Sequence, residues 1–300
     1  MQPRSGQIVV LAGPGVIADD AIDGLRAFAT AGDLGVANTW GAKGVFAWDS
    51  PHHLGTCGLQ ARDFELLGFA DADLIVTTGI DNAESPPSRY ALAPTKTVAP
   101  RKLARLAGKF SFRGEPLRND LYPRLAAIAQ PGFVDDKVPM HPARAVADLG
   151  AMLPPGGLLT AEPGVPGLWV ARTFPTPALE SGQPRRVVVP AHHEPGRVTA
   201  LALEAARQGR PAIAVITAPL DAPTTAMLTA EENAATNLVV VIWGESGEAR
   251  NPADHRSSLA TALAIPAPSI VTVGIALNDT DLLIEAAGEV VAWGGLDPSP

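Results

Sequence analysis

One cysteine, Cys57, in 300 residues leaves no intrachain disulfide to build, and a reducing cytoplasm is the expected compartment. Positive charge is scarce. Lys and Arg number 23 against 31 Asp and Glu, for a net charge of −8, and the short basic stretch around Arg101, Lys102 and Arg105 reads as a solvated helix face. No nucleic-acid partner is expected from that balance. No apolar run approaches the roughly 20 residues that cross a bilayer, so no membrane partner is expected. The first residues also lack the charged, apolar and small-residue blocks of a secretory leader. Aromatics make up only 5%, and Trp40, Trp48, Trp169, Trp243 and Trp293 sit near strand ends, as core or interface residues rather than a stacking platform.

What remains is a chain with 46% apolar and 18% charged residues, the balance of a folded protein. Its 29 glycines and 29 prolines predict many turns and few long helices. Strand and helix patterns alternate. A strand at 7–12 runs into Gly13-Pro14-Gly15 and a helix with apolar positions at Ala21, Ile22, Leu25, Phe28 and Ala29. A short strand at 36–39 ends in Trp40-Gly41-Ala42-Lys43-Gly44, and a helix near 62–69 leads to a doubly buried strand at 72–78. Gly79-Ile80-Asp81 places a glycine and an acid at that strand's carboxyl end.

Prolines interrupt the pattern between 85 and 138, leaving helical patches near 101–106 and 121–129, then it resumes. Helices are predicted at 141–152, 197–208, 224–236, 257–263 and 279–287, with strands at 158–161, 187–189, 212–217, 238–243, 269–273 and 289–293; residues 164–184 read as irregular. The expected fold is α/β, two doubly wound domains with mostly parallel sheets. Their expected bounds are 1–112 and 139–300, joined by a connector at 113–138.

Most candidate chemistry has a plainer explanation. His192 and His193 are adjacent on an extended segment and point to opposite faces, as do His52 and His53, so neither pair suits one metal ion. No metal site is assigned. Ser246 follows a strand, but Glu248 stands where a nucleophile elbow needs its last glycine. His255 and Asp254 are neighbours in sequence only. Cys57 reads as a small packed residue; a reactive thiol would need a charge from Arg62 or Lys43. Gly13-Pro14-Gly15 lacks the full dinucleotide fingerprint and reads first as a turn, with phosphate binding at its amides as the alternative.

Residues 8–81 nevertheless resemble the middle domain of the thiamine-diphosphate-dependent enzymes related to acetolactate synthase and the 2-keto-acid decarboxylases. The likeness lies in Ala12-Gly13-Pro14-Gly15-Val16, Asn38-Thr39 with Gly41-Ala42-Lys43-Gly44, Ser50-Pro51-His52-His53-Leu54-Gly55, and Ala70 to Ile75 leading to Gly79. That resemblance makes Gly13, Gly15, Gly79 and Asp81 the candidate cofactor-binding residues, with ADP or FAD as the ligands some such domains hold. Residues 139–293 resemble the family's pyrophosphate-binding domain more faintly. Where the family has a Gly-Asp-Gly turn for its magnesium, this chain has Ala218-Pro219-Leu220. Proline offers neither a side-chain oxygen nor an N–H, and leucine blocks the close approach that glycine permits. Asp221 and Glu245 are the oxygen donors left nearby, as a displaced metal site or as ordinary loop acids. A counterpart of the family's pyrimidine-binding domain is not expected within these residues.

The resemblance therefore implies a degenerate homologue without independent thiamine-diphosphate catalysis, acting as a structural, regulatory or nucleotide-binding protein. Thiamine diphosphate with magnesium is not expected on the lone chain. Two alternatives stand beside it: one subunit of a split 2-keto-acid lyase or carboligase that needs a pyrimidine-domain partner chain, or an enzyme of unrelated chemistry using Glu162, Glu194, Asp221 and Glu245 at strand ends. A homo-oligomer is expected, because the face that meets the pyrimidine domain in the family would otherwise stay exposed.

Overall fold

The computed structural model describes residues 4–109, 112–244, 247 and 251–296. The chain forms two compact units: Met1–Leu125 with Thr176–Pro184 and Ile284–Ala292, and Ala126–Pro175 with Arg185–Leu283 and Trp293–Pro300.

The first unit contains β1 (Arg4–Gly6), β2 (Ile8–Ala12), α1 (Gly15–Ala18), α2 (Ile22–Gly32), β3 (Gly35–Thr39), β4 (His53–Cys57), α3 (Asp63–Leu66), β5 (Leu74–Thr78), α4 (Pro87–Tyr90), β6 (Thr95–Thr97), α5 (Leu103–Ala107) and β7 (Phe112–Gly114). Its main sheet is parallel throughout, in the order β4-β3-β2-β5-β6, and β1 pairs with β7 beside it. Strand periodicity sends Val10 and Ala12 of β2 to one face, with Leu25, Phe28 and Val76, and Val9 and Leu11 to the other, with Phe64, Phe69 and Ile75. Burial on both faces explains the unbroken apolar run. On α2, Ile22, Leu25, Phe28 and Ala29 recur at helical spacing and are buried, each large side chain contributing about 1.5–3 kcal/mol. Asp33 closes the helix in the left-handed region, φ 52°.

Two later segments complete this unit. Leu179 donates its amide to Gly44 O at 2.8 Å and lies in the core, while Val291 and Ala292 both donate to Leu59 O. The strand expected at 289–293 is therefore one antiparallel bridge, Gln60 to Val290, followed by a 3-10 turn at Ala292–Gly294. The stretch read as a connector holds α6 (Leu121–Phe133).

The second unit is built from α7 (Pro142–Met152), β8 (Leu158–Ala161), α8 (Val165–Thr173), β9 (Val187–Val188), α9 (Arg197–Arg207), β10 (Ala212–Thr217), α10 (Ala222–Thr229), β11 (Leu238–Gly244), α11 (Pro252–Ala264), β12 (Ser269–Gly274) and α12 (Thr280–Ala287), whose last residues belong to the first unit. Its sheet is also parallel, in the order β12-β11-β10-β8-β9. Two parallel sheets with flanking helices bear out the α/β, doubly wound expectation. Helix α8 replaces an expected irregular stretch. Its residues from Pro166 to Ala171 are all buried, so no polar face gave it a helical signature. Helix α10 ends at Thr229, earlier than expected, and α11 begins at Pro252, where the Asn251 side chain caps it.

Candidate functional site

Open parallel sheets bind ligands outside the strand carboxyl ends, where the strand order reverses. In the first unit that point lies between β2 and β5, and the structure brings Gly13, Gly15 and Gly79 together there. Gly13 N donates to Thr78 O at 2.9 Å and Gly15 N to Gly79 O at 2.8 Å. Gly79 has φ +61°, and a Cβ on it would lie 2.5 Å from Val16 N. The glycines allow two backbone segments to touch. Val16 N bonds Gly13 O, and Ile17 N and Ala18 N both bond Pro14 O, so the N–H groups of Gly13 and of residues 15 to 18 all have an internal acceptor. Asp81 stands apart from this contact. It is exposed, and its Oδ1 accepts from Ala83 N at 2.9 Å to close a turn.

In the second unit the order reverses between β8 and β10. Glu162 follows β8, and its Oε2 accepts from Thr217 N at 2.7 Å. Its Oε1 is 3.6 Å from His193 Nδ1, an ion pair when the ring is protonated. Asp221 follows the Ala218-Pro219-Leu220 turn and caps α10: Oδ1 accepts from Thr224 N at 2.6 Å and Oδ2 from Gly196 N at 2.9 Å. Burial pushes its pKa up, but the Thr224 and Gly196 amides and the nearby His193 outweigh that and hold it below the ordinary aspartate value. The three residues thus tie β8, the loop after β9 and α10 together.

Sequence reasoning named Glu162 and Asp221 but missed their partners. Asp221 followed by Pro223 and Thr224 is a legible helix-start signal. The Glu162–His193 pairing had none, because 31 residues separate two loops that only the sheet brings together.

Other candidates fall elsewhere. His192 and Glu194 are exposed. His52 Nδ1 lies 3.0 Å from Leu34 O, while His53 is largely buried, its Nδ1 without a hydrogen bond. Burial, with Lys43 nearby, lowers the His53 pKa to about 4. Cys57 is fully buried, its Sγ 3.5 Å from Asn38 O. His255 is fully buried against Asp148, Nδ1 to Oδ2 3.2 Å, not against Asp254. Trp169 and Trp243 are core residues, while Trp48 is exposed. Glu245, Ser246 and Glu248 lie outside the described residues.

Residues 4–100 match the family described as thiamine pyrophosphate enzyme, central domain. The likeness of 8–81 to a middle domain is borne out, and the matched residues lie within the first unit. No curated protein matches the chain.

The coenzyme of those enzymes is a diphosphate bridged by a divalent cation, which needs several oxygen ligands about one centre. The residues at 218–221 do not fit it. Pro219 and Leu220 carry no side-chain oxygen, and both Asp221 oxygens accept main-chain amides. No group of three His, Cys, Asp or Glu side chains suited to a metal ion occurs among the described residues.

Proposed function

We propose that this chain, with a thiamine pyrophosphate enzyme central domain at 4–100, is a homologue of those enzymes that does not seat the coenzyme by itself and acts as a structural or regulatory module. One observation carries this: at the strand-order reversal of the second sheet, the acids Glu162 and Asp221 accept the Thr217, Thr224 and Gly196 amides. Carboxylates engaged in this way fix loops. Releasing one to a metal would leave part-buried amides unsatisfied, at about 1 kcal/mol each or more.

The same logic bears on the first sheet. The Gly13 and Gly15 amides bond the carbonyls of Thr78 and Gly79, which supports a packing role over phosphate binding there. In this account the chain also pairs with copies of itself.

Thermal-shift measurements on the full chain test the proposal. Thiamine diphosphate with magnesium, ADP and FAD should each leave the melting temperature where buffer leaves it. A magnesium-dependent rise with thiamine diphosphate refutes the proposal, and a rise with ADP or FAD alone moves the function to nucleotide binding. Sedimentation velocity should show an oligomer; a monomer at all concentrations refutes self-pairing.

A further inference from the structure

The amino end of the second sheet holds two arginines with no acidic partner among the described residues. Arg186 immediately precedes β9, Arg210 lies two residues before β10, and the turn at 153–157 leads into β8, the strand between them. Both guanidiniums reach that turn. Arg186 Nη2 lies 3.4 Å from Leu153 O and 3.3 Å from Pro154 O; Arg210 Nε lies 2.9 Å from Gly156 O, and its Nη2 2.7 Å from Arg185 O.

Carbonyls orient a guanidinium without neutralising it. Neither arginine has an Asp or Glu within salt-bridge distance among the described residues, in a chain whose net charge is −8. Arg186 Nε is buried and meets no acceptor. A desolvated donor without a partner is costly and calls for an explanation, and a bound anion supplies one here. The two charges also repel: burial and the Arg186 cation both push the Arg210 pKa down.

We propose that Arg186 and Arg210 form a binding site for a phosphoryl oxyanion at the amino end of this sheet, remote in the fold from the strand carboxyl ends. The fork geometry of arginine matches a tetrahedral oxyanion, and two forks held by one turn present it with a fixed pair of cations. The anion relieves their repulsion and locks the turn at 153–157. This site does not depend on the fate of the coenzyme.

Calorimetric titration of the full chain with inorganic phosphate, at constant ionic strength in chloride, tests it. The expected result is saturable binding of one phosphate per chain, weakened at least about tenfold in Arg186→Gln and in Arg210→Gln. Arg210→Lys, which keeps the charge and loses the fork, should fall between. An ADP arm separates the sources: tighter ADP binding identifies a nucleotide phosphate, equal or weaker binding a free one. Circular dichroism identifies variants that fail to fold, and the wild-type titration then decides alone. No saturable phosphate binding by the wild type, or unchanged affinity in folded glutamine variants, overturns the proposal.

Discussion

Glu162 Oε2 and Thr217 N, 2.7 Å apart, join the ends of β8 and β10 where the order of the second sheet reverses. A side chain thus bridges the two strands at the place where sheets of this kind usually bind a ligand. Glu162→Ala leaves the Thr217 amide without its acceptor and should destabilise the protein by about 1–3 kcal/mol, read from the urea midpoint. Glu162→Gln keeps an acceptor oxygen and should cost less than half as much. Equal losses in the two variants would count against the hydrogen bond.

Asp221 makes the same kind of tie twice. Asp221→Ala removes the cap of α10 and the Gly196 contact together, an expected loss of about 2–3 kcal/mol. Its carboxyl is held below the ordinary value, so the contribution is complete above about pH 4, the unfolded aspartate value, and fades as the pH falls through the folded one. Acid titration of the wild type and Asp221→Asn should converge at low pH.

Two histidines set a second pH window. His53 has its pKa lowered from 6.5 to about 4 by burial and the Lys43 charge. His141 is lowered by burial, and its Nδ1 must stay unprotonated to accept from Ala143 N at the start of α7. Between these values the unfolded chain binds protons that the folded chain refuses. Stability is therefore complete above about pH 6.5 and lost as the pH falls toward about 4, by up to about 3 kcal/mol for His53. Denaturant midpoints at about pH 7.5 and about pH 5 should differ in the wild type and differ less in His53→Gln.

The glycine contact in the first unit admits no side chain. A Cβ at Gly15 would lie 2.8 Å from Gly79 Cα, and Gly79 adds a left-handed φ of +61°. Gly79→Ala and Gly15→Ala should each cost about 2–4 kcal/mol. A melting temperature unchanged within error in either would show that the two segments can separate.

Much of the first unit was legible because its strands are buried on both faces and α2 on one. Apolar runs at 8–12 and 74–78, and the spacing of Leu25, Phe28 and Ala29, carry that directly. Helix α8 was hidden because burial on all sides erases periodicity. The three-residue β6, exposed throughout, carries no apolar pattern at all. At the strand ends, residue types were readable and partners were not. Asp221 was read as a metal donor or a loop acid, not as a helix cap, and its second bond, to Gly196 N, exists only because the sheet sets two loops side by side.

The most direct test is calorimetric titration of the isolated, folded chain with thiamine diphosphate in excess magnesium. The predicted result is no saturable heat up to millimolar coenzyme, because among the described residues of this turn Pro219 and Leu220 carry no side-chain oxygen and both Asp221 oxygens are engaged. Micromolar binding that disappears when magnesium is chelated would contradict the account.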